Sequence, residues 1–443
     1  MSENTKKAFD KHTKSMAELI NLSNQLNNVQ VSNADNKKEI ELTPQGIPSM
    51  YQGDIILTEQ QASYLIDEAK LKIEAKKSNK TGSDVDKEIV EKLKKNRAYK
   101  KDSPFKWTFP IPYFIEGGVD QNVVDQALKT MEKETCITFK KTAPFNNKLG
   151  LKIFKGKGCW SFVGPTYKDK PQEISIGNNC EKNGIVQDEV SHALGMFHEQ
   201  SRPDRDNYLS VNLNNVDSNL RDNFDKSTIA ETDTFGVPYD YGSVMHYGKK
   251  AFSSNRGLTM VPKNKDYLNT IGNNEKMQFN DIKTINLAFC SGRCKGGVQC
   301  SNGGYENPMK CGTCKCPSMF EGDTCNKVRK NPANCGQSNS IVASNAFKSL
   351  KLQGVKDCVF LISATDGKKP EIVIERGNLK ATERCFPGVA LEVKYSKDLT
   401  ITGLTFCGSV HNKKILLKDL NCFSIILVHA EIILCNLNIV QFN

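Results

Sequence analysis

The spacing of apolar residues changes along the chain, and the changes divide it. Positions 1–49 are polar and rich in Asn, Lys and Ser, with one short amphipathic stretch near Met16–Leu26, so the composition predicts a poorly ordered start. From Tyr51 the run YQGDIILTEQQASYLIDEAKLKIEAKK predicts a short strand over IIL, then a helix with Thr58 as its N-cap. A basic segment follows and ends in Lys94-Lys95-Asn96-Arg97. Strand and helix signals then alternate over 105–290. WTFPIPYFI predicts a strand that Pro110 and Pro112 confine to a sheet edge. Val119–Thr135 has helical spacing, Ile137–Lys140, Leu149–Phe154 and Ile174–Ile176 predict short strands, and Gly184–Gly195 predicts a helix. Past residue 335, short alternating runs parted by Gly, Asp and Asn predict an all-β sandwich. Ser, His, Glu and Asn interrupt Phe423–Phe442, the most apolar stretch, so no run reaches the ~18–20 residues of a membrane helix and no membrane span is expected.

A length of 443 residues corresponds to about three folded units. The net charge of +11 is spread along the chain rather than gathered in one stripe, which argues against a nucleic-acid partner. Cysteine changes the picture more. Residues 1–135 hold none; four stand at 136–290, six at 294–325 and six at 335–435. An even, clustered set predicts a disulfide framework and an oxidising, extracellular compartment. The first thirty residues lack the basic start and apolar core of a signal peptide. The cysteines decide the reading: a secreted protein whose leader is not visible in this stretch. Segment 291–327 is too short for a core of its own, so its six cysteines must hold it.

The stretch that carries chemistry is Asp188-Glu189-Val190-Ser191-His192-Ala193-Leu194-Gly195-Met196-Phe197-His198-Glu199. Residues 188 and 192 stand at i and i+4, on one face of a helix, where both side chains can grip a single ion. Glu189 lies one position round, able to contact a water without binding the metal. Gly195 allows a left-handed exit from the helix, after which His198 can swing back as a third ligand. Ser243-Val244-Met245-His246-Tyr247 reads as a methionine turn, with Tyr247 able to reach metal or substrate.

This is the metzincin pattern H-E-x-x-H-x-x-G-x-x-H with its methionine turn, except that Asp188 stands at the first histidine. The flanks HEQSRPDRDNY after Phe197, PYDYGSVMHYG at 238–248 and GCWSFVG at 158–164 resemble the astacin family of zinc endopeptidases over 98–290. The resemblance implies an α+β metzincin catalytic domain holding one Zn2+ through Asp188, His192 and His198, with Glu189 as general base and Tyr247 on the oxyanion. It also implies that Glu199 fixes a new N-terminus near Ala98; the alternative is a carboxylate paired with Arg202 or Arg205. An aspartate is an acceptable zinc ligand, yet it is shorter than imidazole and leaves the ion less electrophilic. Tyr51-Gln52-Gly53-Asp54 is similar to the family's aspartate switch, in which a pro-segment carboxylate occupies the water position; the alternative is a Gly-Asp turn. With both, Asp54 and Asp188 would meet on one ion, and latency would depend on metal more than with three histidines.

The same resemblance pairs Cys136 with Cys290 and Cys159 with Cys180. Segment 294–325 matches an EGF-like module with bridges Cys294–Cys311, Cys300–Cys314 and Cys316–Cys325, against a zinc knuckle that has no second ligand pair. Residues 335–443 resemble a CUB domain with Cys335–Cys358 and Cys385–Cys407; Cys422 and Cys435 are extra, bridged or free. The expected organisation is multidomain: a partly disordered pro-segment at 1–97, a peptidase domain at 98–290, a small disulfide-rich EGF-like module at 291–327 and an all-β CUB-like sandwich at 335–443. Function is expected to be that of a secreted zinc metalloendopeptidase made as a zymogen, activated by a protease near Arg97 and cutting extracellular proteins or peptides. The rival is a pseudoenzyme, its activity reduced or lost through Asp188, acting as an extracellular binding or decoy protein.

Overall fold

The computed structural model describes residues 1–26, 46–78, 105–227, 232–336, 338–364, 368–382, 384–388, 390–416 and 424–442. Two compact units result, one of 1–234 with 247–263 and one of 235–246 with 264–443.

The first unit is built on a six-stranded sheet in the order β1-β5-β6-β4-β2-β3: β1 Ile55–Ile56, β2 Ile111–Ile115, β3 Phe139–Lys141, β4 Gly150–Phe154, β5 Cys159–Phe162 and β6 Pro171–Ile176. All neighbours run parallel except β5 with β6. Two residues are too few for a strand to hold itself, so β1 depends on what flanks it. Helix α1 (Glu3–Leu26) and helix α2 (Glu59–Lys77) supply that support. Met16, Leu19 and Leu22 of α1 share one apolar cluster with Tyr51, Ile55, Leu57, Ala62, Ile66 and Val163. Thr58 caps α2 in a full capping box with Gln61.

An ordered α1 reverses the expectation of a poorly ordered start. The reason lies in its buried face, which includes Thr5, His12, Ser23 and Asn24 beside the three apolar residues, so the helical period is invisible as hydrophobicity before Met16. Strand β2 is a second correction, because it lies inside the sheet, not at its edge. Its ladder to β3 runs over Ile111–Tyr113 and its ladder to β4 over Tyr113–Ile115. Pro112 is the middle residue of the ladder to β3 and lies outside the ladder to β4. Ile111 donates its N–H toward β3, to the Thr138 carbonyl at 2.7 Å, so the next nitrogen along, that of Pro112, faces the side where pairing begins only at Tyr113, and no ladder bond is lost.

Helix α3 (Gln121–Glu134), capped by Asp120, and helix α4 (Asn183–Leu194) complete the part of this unit that bears on function. Trp107 is buried and donates its indole N–H to the Ala193 carbonyl at 2.9 Å, tying the segment before β2 to the end of α4. A small ribbon joins β7 (Leu209–Val211) to β8 (Met260–Pro262).

In the second unit helix α5 (Phe279–Cys290) precedes two short ribbons, β9 (Tyr305–Glu306) with β10 (Cys314–Lys315) and β11 (Phe320–Glu321) with β12 (Lys327–Val328). Cys294–Cys311, Cys300–Cys314 and Cys316–Cys325 bridge this segment. Seven further strands are joined in one hydrogen-bonded network: β13 (Ser340–Val342), β14 (Lys348–Ser363), β15 (Lys369–Leu379), β16 (Leu391–Lys394), β17 (Leu404–Phe406), β18 (Ser409–Leu416) and β19 (Ser424–Phe442). Cys335–Cys358 and Cys385–Cys407 lie here, and Met319, Phe320 and Cys325 pack with Val359 and Leu399, so ribbons and sheet share a core. Cys159–Cys180 bridges the first unit, and Cys136 and Cys290 are also disulfide-bonded. Arg97, Ala98 and Cys422 fall outside the described residues, as does the Cys435 side chain. Among the described residues no helix is long and apolar enough to cross a membrane.

The docking of α1 carries a pH dependence. His12 is buried, accepts the Leu57 N–H on Nδ1 at 3.1 Å and contacts the Ser49 carbonyl through Nε2 at 3.1 Å, which fixes the neutral Nε2–H tautomer. Burial pushes its pKa down to about 4, against the favourable contact with Ser49. The undocked segment therefore takes up a proton that the docked one refuses. Docking is at full strength above about 6.5 and loses up to about 3 kcal/mol as pH falls toward 4. Protection factors over residues 3–26, with the intrinsic pH dependence of amide exchange divided out, are expected to fall more than tenfold between pH 7 and 4.5, and His12→Gln is expected to flatten that change.

Candidate metal centre

Helix α4 brings Asp188 and His192 onto one buried face, one turn apart, with Glu189 beside them. Gly195 ends the helix at φ 112°, a left-handed conformation, and a Cβ added there would touch nothing within 4 Å. Glycine is thus required by the backbone and not by space. The turn delivers His198 back toward His192, with ring centroids 4.7 Å apart. Each imidazole is oriented from behind. His192 Nδ1 contacts the Met196 carbonyl at 2.8 Å and His198 Nδ1 the Gln52 side-chain oxygen at 3.0 Å. With both Nδ1–H groups so engaged, both Nε2 lone pairs face the centre, the arrangement a metal requires of histidine.

The N-terminal segment completes the group. Tyr51 and Ile55 exchange backbone hydrogen bonds at 3.0 Å across a turn whose Gln52 and Gly53 lie at φ 46° and 80°. Ser161 of β5 donates its N–H to the Asp54 carbonyl at 2.9 Å. The Asp54 carboxyl then stands 3.6 Å from His192 Nε2 and 3.3 Å from His198 Nε2. One ligand atom from each of Asp54, Asp188, His192 and His198 lies within 4.8 Å of the others. A turn is therefore present at Gly53-Asp54, and it carries the Asp54 carboxyl to the two histidines.

Electrostatics show what this cluster lacks. Asp54, Asp188 and Glu189 are at most 1% exposed. Burial pushes Asp54 up to about 8 despite His192, and raises Glu189 well above the carboxylate range, with Asp54 and Asp188 adding to the rise. Burial pushes His192 down to about 4 and His198 to about 3. Burial thus disfavours charge on Asp54 and on both imidazoles alike. Both Asp54 oxygens, both Glu189 oxygens and His192 Nε2 have no hydrogen-bond partner. Imidazole and carboxylate donors, buried, convergent and unsatisfied, fit a zinc ion.

Tyr247 approaches from the other side. Its ring centroid is 4.6 Å from that of His198, its N–H donates to Gln200 Oε1 at 2.9 Å and its hydroxyl donates to the Gln52 carbonyl. Gln52 thus touches His198 with its side chain and Tyr247 with its backbone; nothing in the sequence distinguishes it from any turn residue. Glu199 lies 3.2 Å from Arg202, the pairing posed as the alternative to an N-terminal anchor. In the second unit Met245 is 1% exposed and donates its N–H to Ser243 Oγ at 3.0 Å. Asp281 orders that turn, accepting from Ser243 Oγ at 2.6 Å, Val244 N–H at 3.1 Å and Gln278 N–H at 2.8 Å. Sequence reasoning passed over it, since a capping aspartate carries no motif. His246 bonds Tyr239 at 2.7 Å.

A helix with two metal-facing donors one turn apart, a left-handed glycine exit and a second histidine after it define a centre of the metzincin kind. Residues 99–290 match the model of the peptidase family Astacin. Zinc metalloproteinase nas-34 of Caenorhabditis elegans is 33% identical over 380 residues, covering 85% of this chain and 61% of that protein. Zinc metalloproteinase nas-36 of Brugia malayi is 33% identical over 399 residues, covering 85% and 68%. Among solved structures, high choriolytic enzyme 1, a hatching enzyme zinc-protease from Oryzias latipes, is 34% identical over 41% of this chain and 89% of that one, with a TM-score of 0.36. The chain belongs to the astacin family. It spans 61%, 60% and 44% of the length of the first three curated relatives it matches.

Two measurements test this geometry. Gly195→Ala forces an L-residue into the left-handed region and is expected to cost about 1–2 kcal/mol in thermal unfolding without any clash. Zinc at about a hundred times its dissociation constant is expected to stabilise the full chain by roughly 2.7 kcal/mol, and the His192→Ala/His198→Ala double variant by nothing.

Proposed function

We propose that the chain is the latent form of a secreted zinc metalloendopeptidase acting on extracellular proteins or peptides. The observation that carries this reading is the convergence of Asp54, Asp188, His192 and His198 beside the unsatisfied carboxyl of Glu189. Asp188 stands where the family pattern has its first histidine, so the ligands are read as Asp188, His192 and His198, with Asp54 as a fourth supplied by the pro-segment. Zinc, when bound, would polarise the scissile carbonyl and acidify a water. Glu189 would take the proton of the attacking water and hand it to the leaving amine. Tyr247, once released from Gln52, would donate its hydroxyl to the developing oxyanion.

The wider organisation follows as part of the same reading. Residues 1–97 are a pro-segment that α1, β1 and α2 clamp in place, removed by a protease acting near Arg97. Residues 98–290 are the peptidase domain, 291–327 an EGF-like module and 335–443 a CUB-like domain for docking substrate or partners. The disulfides support an extracellular setting.

The test uses the full chain, folded oxidatively and cleaved after Arg97. Processed protein is expected to hydrolyse a broad peptide library, with Glu189→Gln lowering kcat/KM about 10²–10⁴-fold while zinc content stays unchanged. Asp188→His is expected to raise kcat/KM, and Asp54→Ala to release activity without cleavage. Processed protein that holds zinc but cleaves no faster than Glu189→Gln would instead establish the binding or decoy function.

A further inference from the structure

A groove of about 730 Å³ that shares no lining residue with the metal centre lies in the first unit, where the segment before β2, the end of β3 and two loops come together. Lys106, Lys140, Lys148 and Lys168 line it, with Thr108 and Thr142, and among the described residues no acidic one does. Neighbouring lysines are neutralised: Lys141 pairs with Asp125 at 2.6 Å, Lys152 with Glu116 at 2.8 Å and Lys155 with Glu181 at 3.3 Å. Among the described residues none of the four groove ammoniums pairs with a carboxylate; Lys148 lies 5.0 Å from the Phe145 ring centroid. Four like charges gathered in one concavity repel one another and leave a positive potential focused there. The backbone between Lys106 and Thr108 is anchored, because Trp107 is buried and donates its indole N–H to the Ala193 carbonyl.

From this arrangement we infer that the groove binds a linear sulfated polysaccharide. Lysine presents a compact point charge, suited to tetrahedral sulfate esters; a planar carboxylate is better met by the arginine fork, and among the described residues no arginine lines the groove. The threonine hydroxyls supply neutral donors between the charges. Lining residues come from four separate segments, so the feature belongs to the folded unit and not to any basic run. The disulfide framework places the chain where such polysaccharides, and not nucleic acids, are the abundant polyanions.

The experiment titrates the full chain with a size-defined heparin octasaccharide across a range of salt. Replacing Lys106, Lys140, Lys148 and Lys168 with Gln is expected to weaken binding more than tenfold near physiological salt and to shrink the slope of log Kd against log salt by about 3. A control with Lys295, Lys310, Lys327 and Lys330 replaced by Gln removes equal charge from exposed positions elsewhere and is expected to change Kd less than twofold. Equal losses in the two variants, or none in the groove variant, would overturn the inference. So would displacement of the octasaccharide by polyglutamate or a DNA duplex at equal charge concentration, which would assign the groove to another class of polyanion.

Discussion

Three buried carboxyl groups brought into one cluster govern this structure. Asp54, Asp188 and Glu189 converge with two imidazoles that burial itself keeps neutral. Like carboxylates at such range cannot all ionise in a low-dielectric site. A dication resolves the conflict by turning repulsion into coordination, and the two histidines aim their Nε2 atoms where it would sit. The rest of the first unit serves to hold those groups together despite their mutual cost.

Apolar packing does the holding. Burying an uncompensated carboxyl costs several kcal/mol. Directly after Asp54 come Ile55, Ile56 and Leu57, each at most 1% exposed, and each contributes roughly 1.5–3 kcal/mol by burial. The pairing of β1 with β5 fixes the register, so Asp54 cannot slide away from the histidines without turning three apolar side chains out of the core. The ion pairs joining α1 to α2, Lys11–Glu59 and Lys70–Glu18, have side chains 47–64% exposed and add little. The position of Asp54 therefore rests chiefly on hydrophobic contacts.

Much of the centre was legible in the sequence because its parts are local. The i, i+4 spacing of Asp188 and His192, the glycine exit and the Thr58 cap each depend on a few adjacent residues. What escaped depends on distance or on unusual interiors. Helix α1 hides its period behind a buried histidine, threonine, serine and asparagine. Strand β2 looks like an edge strand by its prolines, and only the staggered ladders explain how it sits inside. Gln52 and Asp281 act through backbone groups far along the chain, and the groove lysines have nothing in common until folding gathers them.

Placing an aspartate at 188 alters the balance between the two states of the centre. With three imidazoles the protein would contribute no charge, and a single carboxylate from the N-terminal segment would half-neutralise a dication. Here Asp54 and Asp188 together match its charge, so the cluster with both carboxylates present is the better host. Departure of the N-terminal segment removes one of the two and opens a position at the same time. By linkage, whatever the segment adds to metal affinity the metal adds to docking of the segment. On the proposed function, opening the centre for catalysis and weakening its hold on the ion would be one event, and a chain carrying Asp188 would meet that conflict more sharply than one with a third neutral ligand.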